Sequence, residues 1–188
     1  MNQPDLYHGK LALVIKHKIP TLGADSVVFT MQKGRLKLLL IERGHEPYKG
    51  RWALPGGFME WGENALQTAG RELEEETSLK NVELVFLGLF SKPGRDPRGT
   101  ILSAAHIGLV DATKATVKGG DDAEKAEWFD LGDLPPLAFD HEDIVTAARH
   151  FFLTKMDENA YAWFQPLFEE NPDYPELKKA LDGLRKQL

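Results

Sequence analysis

The chain has 188 residues, of which 42% are hydrophobic, and this length allows one domain with a substantial core but is short for two. A formal net charge of −6 argues against general nucleic-acid binding, although metal ions and a few arginines can still bring phosphates to an acidic protein. There is no cysteine, which excludes disulfides and thiolate metal sites and fits a reducing cytoplasm.

The sequence also indicates a cytoplasmic protein without a membrane partner. Its first residues lack a charged segment followed by an apolar run, which is the pattern of a secretory signal. No apolar stretch approaches the ~18 residues that are needed to span a bilayer.

Several segments have the composition of strands or helices. Two apolar segments flank Lys33-Gly34 and predict a β-hairpin. A dense Pro/Gly stretch at 91–99 predicts a shaped loop. The predicted strands cover residues 11–19, 24–30, 36–42, 82–90, 101–110 and 126–131, and helices are predicted at 141–154 and, in pieces, at 156–188.

A further helix is predicted from residue 64 to about 77. Asn64 and Gln67 have the spacing of a capping box, in which each side chain bonds the other residue's amide. An apolar stripe at helical spacing should pack on a core. Its members are Leu66, Ala69, Gly70, Leu73 and Thr77.

Glu72, Glu75 and Glu76 crowd another face of this helix, where like charges repel by roughly 0.2–0.5 kcal/mol per pair. The face is either a solvated acidic surface or a site for a hard divalent cation. Mg²⁺ takes oxygen ligands from one or two carboxylates together with substrate phosphates. Gly56 and Gly57 precede the helix and let the backbone approach, so the combination favours the metal site.

The same residues carry a family resemblance. Gly57, five residues, Glu63, seven residues and then Arg71-Glu72-Leu73-x-Glu75-Glu76-x-x-Leu79 resembles the Nudix box of the Nudix hydrolases. The chain departs from the pattern at Ser78, where the family has glycine. If that position is a left-handed helix end, a residue with a Cβ costs roughly 1 kcal/mol there.

The resemblance implies the architecture. Nudix domains are α/β/α sandwiches with a mixed β-sheet, and we expect one such domain over 1–188. Its core would cover about 20–155, and 156–188 would be a helical C-terminal extension. Homodimers are frequent in this superfamily, so we also expect a homodimer.

The resemblance also implies a Mg²⁺ or Mn²⁺ cofactor and a role for each residue of the box. Glu72 and Glu76 would be the principal metal ligands, Glu75 an additional ligand, and the Gly56 carbonyl a backbone ligand. Arg71 would complete the catalytic group by orienting the carboxylates through charge-assisted bonds.

The general base often lies outside the box in this superfamily, and we predict Asp122 for that role. Glu124 and Glu127, in the same segment, are the next candidates for the general base. The alternative is that Gly-Gly-Asp-Asp at 119–122 is an ordinary solvated turn.

Substrate residues are predicted from weaker patterns. The loop around Arg95 and Arg98, and the run at 137–141, resemble a subgroup that includes ADP-ribose pyrophosphatases and Nudix-type regulators of NAD metabolism. The two arginines would contact phosphate or a base, unless Arg95 and its neighbour Asp96 only stabilise a surface loop. Arg43 could reach the diphosphate. Four rings could stack on adenine, although each is more often part of a core; they are Tyr48, Trp52, Phe58 and Trp61.

The predicted activity is metal-dependent hydrolysis of a nucleoside diphosphate derivative, with ADP-ribose giving AMP and ribose 5-phosphate. Other nucleotide sugars, dinucleotides and nucleoside triphosphates are alternatives within this class. The rival class is an ADP-ribose-sensing transcription regulator, but the tail is not notably basic and the acidic residues favour turnover. No nucleic-acid partner is therefore expected.

Overall fold

The computed structural model describes residues 20–33, 35–111, 117–120 and 123–155. The strand predicted at 11–19, the base candidate Asp122 and the helical extension predicted at 156–188 lie outside these residues. The prediction of one domain over 1–188 therefore concerns more of the chain than the structure describes.

Seven strands and two helices make up the described part of the chain. The strands are β1 (Thr21–Gln32), β2 (Arg35–Arg43), β3 (Trp52–Ala53), β4 (Gly56–Phe58), β5 (Leu84–Phe90), β6 (Ile101–Val110) and β7 (Ala123–Asp130), and the helices are α1 (Ala65–Thr77) and α2 (His141–Lys155). The elements predicted within the described residues are present with ends shifted by a few residues, while the short β3 and β4 were not predicted. Neither described helix is long and apolar enough to cross a membrane.

All seven strands form one mixed sheet with β1 near its centre. The order is β3-β2-β1-β6-β5, with β4 also pairing β1 and β7 pairing β2. β1 and β6 run parallel, whereas the other pairs are antiparallel. The hairpin predicted between β1 and β2 is confirmed, with Gln32 opposite Arg35.

Alternate residues of β1 face opposite sides of the sheet, and one helix covers each side. Phe29 packs edge-on against Phe152 of α2, with ring centroids 5.0 Å apart. Val28 lies in the other core cluster, together with Leu73 of α1. This arrangement confirms the predicted α/β/α sandwich with a mixed sheet.

Both ends of α1 have the predicted chemistry. The Asn64 side chain accepts a bond from the Gln67 amide at 3.0 Å, and the Gln67 side chain accepts one from the Asn64 amide at 2.9 Å. Ser78 ends the helix in the left-handed conformation, with φ of 63°. The serine therefore occupies the strained geometry for which glycine is the usual residue.

The predicted apolar stripe of α1 is wrong at one position. Leu66 is 48% exposed, because in the first turn it borders an open depression together with Gly70 and Val82. The buried residues of α1 begin at Thr68 and include Glu76. A carboxylate thus belongs to the buried side of this helix.

Candidate active site

A cavity of about 500 Å³ lies where β1, β4 and α1 meet the start of α2. Seven of the predicted site residues line it. They are Arg43, Gly56, Phe58, Glu72, Glu76, Arg95 and Arg98. Arg71 lies beside the cavity because it bonds Glu72 and Phe58, and Glu75 in turn bonds Arg71. Trp52 does not line the cavity.

Arg71 is the centre of an ion-pair network on α1. Its Nε donates to Glu63 Oε1 at 2.7 Å, and its Nη1 donates to Glu72 Oε1 at 2.8 Å and to Glu75 Oε2 at 2.9 Å. Its Nη2 donates to the Phe58 carbonyl at 3.1 Å, which ties α1 to the end of β4. One guanidinium therefore holds three carboxylates, and two of them, Glu72 and Glu75, belong to the acidic face whose repulsion the sequence predicted.

Glu63 supports the loop before α1. Besides the Arg71 bonds, its Oε2 accepts from the Glu60 amide at 3.0 Å and from the Thr68 hydroxyl at 2.9 Å. The hydrogen bond from Arg71 is the main reason why the pKa of Glu63 falls to about 2.

Glu76 has a different environment, because it is only 7% exposed and points toward the cavity. Its Oε2 accepts a hydrogen bond from the Gly56 amide at 2.9 Å. Burial raises the pKa of Glu76 to about 8, against the effect of the Gly56 bond and with a further contribution from the negative charges of Glu72 and Asp25. Burial is also the main reason that the pKa of Glu72 is raised.

The two glycines of β4 are required by close contacts. A Cβ on Gly57 would overlap the carboxylate of Glu72, and a Cβ on Gly56 would overlap the backbone of Ala24 and the side chain of Asp25. The backbone can therefore approach the carboxylates only because these positions lack side chains.

The donor set fits a hard divalent cation. Its side-chain oxygens are carboxylates from one face of α1, and the charge of the buried Glu76 is disfavoured by burial and by two neighbouring carboxylates, a condition that a cation would relieve. Within the described ranges, no three ligating side chains already converge on one point. Glu72 and Glu75 instead bond Arg71, so cation binding would require them to turn.

The segment before the base candidate lies against the end of α1. The Gly120 amide donates to the Glu76 carbonyl at 3.2 Å, and the Ala123 amide donates to the Gly120 carbonyl at 2.9 Å. Asp122 itself falls outside the described residues, so its role remains a prediction.

Arg95 and Arg98 have different partners within the loop between β5 and β6, which we call the arginine loop (residues 91–100). Arg95 is 8% exposed and bonds both carboxylate oxygens of Asp140, at 2.8 and 2.6 Å. Arg98 bonds Asp96, with Nη2 to Oδ2 at 2.7 Å, and its side chain is 40% exposed. The alternative of a simple surface pair does not describe Arg95, because its pair with Asp140 is buried.

Arg98 lies between two rings at the cavity mouth. Its guanidinium carbon is 4.8 Å from the centroid of Phe58 and 5.3 Å from that of Phe139. Arg43 approaches the same Phe139 ring, at 4.8 Å. Guanidinium groups and aromatic rings therefore pack against each other at the cavity, where a planar ligand could stack on them.

Trp52 packs in the core rather than at the cavity. Its ring meets Phe129 edge-on at 4.6 Å, and its carbonyl accepts from the Ala138 amide at 2.8 Å. The prediction that Trp52 stacks on a substrate is therefore wrong, because its ring packs against Phe129 and does not line the cavity.

Sequence reasoning missed a buried polar group in the wall of the cavity. Asp25 Oδ2 accepts from the Ser103 hydroxyl and lies 3.9 Å from His141 Nε2 and 3.8 Å from Arg95 Nη2. His141 Nδ1 accepts from the Leu54 amide at 2.9 Å, and burial lowers the pKa of His141. Asp25 is the one charged residue of β1, and this was the signal that could have pointed to the group.

Comparison with known proteins gives relatives over most of the described region. The NUDIX domain profile matches residues 20–149. The chain is 50% identical over 126 residues to an ADP-ribose pyrophosphatase of Methanocaldococcus jannaschii, covering 67% of this chain and 71% of that protein. It is 34% identical over 133 residues to the ADPR responsive transcriptional repressor NtrR of Acinetobacter baylyi, covering 69% of this chain and 53% of the repressor.

A solved structure has the same architecture. The NUDIX domain of Shewanella oneidensis NrtR, complexed with ADP ribose, superposes with a TM-score of 0.67 at 29% identity. The match covers 75% of this chain and 97% of that one. With the carboxylates, arginine and glycines of the box arranged around one cavity, the profile match establishes that this chain belongs to the Nudix family.

Proposed function

We propose that this protein is a Mg²⁺- or Mn²⁺-dependent pyrophosphohydrolase that cleaves ADP-ribose to AMP and ribose 5-phosphate. The observation that carries the proposal is the buried Glu76 carboxylate, which faces a cavity whose mouth holds the Arg98 guanidinium between two rings. The 50% identity to an ADP-ribose pyrophosphatase supports this substrate.

The carboxylates of α1 would hold the metal, with Glu72 and Glu76 as principal ligands, Glu75 as a further ligand and the Gly56 carbonyl from β4. When bound, a divalent ion neutralises diphosphate oxygens and lowers the pKa of a coordinated water. Arg71 keeps the carboxylates near their positions, because its donors already bond Glu72 and Glu75. It takes no part in proton transfer, since a guanidinium stays protonated.

The substrate would be held by other residues that line the cavity. Arg98 and Arg43 present guanidinium groups to phosphate, and Phe58 presents a ring that is 40% exposed. Arg95 acts mainly through its buried bonds to Asp140, which fix the arginine loop.

Asp122 is the proposed general base, because it follows Gly120, whose amide bonds the Glu76 carbonyl. Asp122→Asn should lower kcat while leaving ADP-ribose binding intact, as measured by steady-state kinetics and calorimetry. A wild-type rate would transfer the role to Glu124 or Glu127.

A second function is favoured by one comparison, the 34% identity to a transcriptional repressor. In that case the domain would bind ADP-ribose as a signal. The chain spans 53% of the repressor, and its formal charge of −6 does not favour DNA binding.

The test is to incubate the protein with Mg²⁺ and a panel of ADP-ribose, other nucleotide sugars, dinucleotides and nucleoside triphosphates, with products identified by mass. We expect AMP and ribose 5-phosphate from ADP-ribose, and roughly 10³-fold slower product formation by the Glu76→Gln variant. ADP-ribose binding without turnover, together with DNA binding in moderate salt, would favour the sensor.

Gel filtration and light scattering would test the proposed homodimer, and cell fractionation would test the proposed cytoplasmic location.

A further inference from the structure

Two adjacent residues at the start of α2 contact two different segments of the chain that line the cavity. Asp140 bonds Arg95 of the arginine loop, and His141 bonds the backbone of Leu54, which leads into Gly56. We propose that Asp140 and His141 are positioning residues that fix the two sides separately, His141 the metal-binding backbone and Asp140 the substrate loop. This inference rests on the proposed function.

The His141 side is built from three consecutive backbone contacts. His141 Nδ1 accepts from the Leu54 amide at 2.9 Å, the Pro55 carbonyl accepts from the Ser26 amide at 2.8 Å, and the Gly56 amide donates to Glu76 at 2.9 Å. Leu54 is 1% exposed, so its amide has no access to water if the histidine acceptor is removed.

The tautomer of His141 follows from this contact. A backbone amide can only donate, so Nδ1 is the acceptor and a neutral ring carries its proton on Nε2. Nε2 faces Asp25 at 3.9 Å, and Asp25 in turn accepts from the Ser103 hydroxyl. The ring is therefore held in one orientation, with its acceptor on Leu54, two residues before Gly56.

The Asp140 side is a buried bidentate pair. The side chains of Arg95 and Asp140 are 4% and 10% exposed, and two charge-assisted bonds join them. The Arg98 amide, three residues along the loop, donates to Asp96 at 2.8 Å. Asp140 therefore anchors the arginine loop at Arg95, and Arg98 of the same loop contacts the rings of Phe58 and Phe139.

The chain offers a matched control for each residue. Asp143 also joins α2 to the arginine loop, through Lys92 at 3.8 Å, but both side chains are well exposed. His150 is an exposed histidine of the same helix. Asp143→Asn and His150→Leu should therefore leave every quantity below at its wild-type value.

For His141, the pair of variants is His141→Leu, which removes the acceptor, and His141→Asn, whose amide oxygen can replace Nδ1. His141→Leu should weaken Mn²⁺ binding by about 10–100-fold, the range for an outer-shell contact, and should speed hydrogen exchange of the Leu54 amide. His141→Asn should restore both. Unchanged Mn²⁺ affinity and Leu54 exchange in His141→Leu would overturn the assignment.

For Asp140, the variant is Asp140→Asn, which keeps the size but removes the charge. It should raise KM for ADP-ribose by about tenfold, the scale of a charge-assisted bond, and speed exchange of the Arg98 amide. Its kcat and Mn²⁺ affinity should stay at wild-type values. Loss of Mn²⁺ affinity in this variant would show that the two sides are not set separately.

These readouts separate the inference from the proposed function. If the wild-type protein cleaves no diphosphate, the proposed function fails, while Mn²⁺ affinity and the Leu54 and Arg98 exchange rates still test the two positioning roles. If His141→Leu does not fold, His141→Asn decides: wild-type Mn²⁺ affinity supports the role, and weakened affinity overturns it.

Discussion

Glu63 and Glu76 are two glutamates of the same motif whose environments shift their pKa values in opposite directions. Glu63 lies in the loop before α1, where its hydrogen bond to Arg71 is the main cause of a pKa of about 2. Glu76 lies in the last turn of α1, where burial raises its pKa to about 8. The first carboxylate has its charge satisfied by neighbouring residues, whereas the second is buried facing a cavity.

The difference separates residues that hold the fold from residues that do chemistry. A carboxylate that is fully paired contributes to local structure, and its bonds leave little capacity for a ligand. A buried carboxylate without comparable pairing costs folding free energy and is retained where a ligand can compensate it.

The largest expected effect comes from removing the charge of the buried residue. Glu76→Gln should reduce the ADP-ribose hydrolysis rate roughly 10³-fold, because about 4 kcal/mol of metal-dependent stabilisation is lost. Glu72→Gln should behave similarly, and both variants should fold normally by circular dichroism. Full activity in either variant would reject the metal assignment and, with it, the contrast between Glu63 and Glu76.

A smaller loss is expected when the carboxylates are displaced without being changed. Gly57→Ala places a methyl group against the Glu72 carboxylate, so kcat and Mn²⁺ affinity should each fall by about 10–100-fold. Mn²⁺ titration and steady-state kinetics measure the two effects. If Mn²⁺ affinity is unchanged, the space that Gly57 leaves for the Glu72 carboxylate is not needed for metal binding.

The pH dependence of stability should expose Glu76 directly. With its pKa raised to about 8, the Glu76 carboxyl stays protonated in the metal-free folded protein up to about pH 8, whereas in the unfolded chain it ionises near the ordinary pKa of 4.5. The unfolded state thus binds fewer protons between these values, so the free energy of unfolding falls as pH rises, on the order of a few kcal/mol.

Urea denaturation in a chelator at pH 5 and pH 8 measures this effect. Glu76→Gln should remove most of the pH dependence and be more stable than the wild type at pH 8. Added Mg²⁺ should stabilise the wild type more than the variant. An identical pH dependence in both proteins would contradict the pKa of Glu76 given above.

Glu63→Gln should act mainly on structure. It weakens the bonds to Arg71 and should lower Tm, and the decrease should disappear below about pH 2, where the wild-type Glu63 is also protonated. Differential scanning calorimetry from pH 2 to 7 measures this. A catalytic loss as large as that of Glu76→Gln, without a change in Tm, would place Glu63 among the chemical residues.

The smallest effect is expected at Gly70 and has the opposite sign. A Cβ there meets nothing within 4 Å, so Gly70→Ala in the middle of α1 should stabilise the protein by about 0.5–1 kcal/mol. Hydrolysis should be unchanged. With Gly57→Ala, this variant distinguishes a glycine required by the site from one that is not.

The box helix could be predicted closely because its rules are local. The capping box, the left-handed residue at Ser78 and the long strands follow from spacing and composition over a few residues. Leu66 was misassigned because periodicity shows which residues share a face, not how far along the helix the core extends. Trp52 was misassigned because a ring in the sequence gives no sign of which partner will cover it.

The sequence by itself determined the family, the mixed α/β/α fold and the set of acidic residues offered to a metal. Only the tertiary structure separated Glu63 from Glu76, and only it brought Asp25, Asp140 and His141 together at the cavity. The physical reason is that a pKa depends on burial and on charges brought from distant parts of the chain. Local sequence patterns do not show which distant residues will become neighbours in the folded protein.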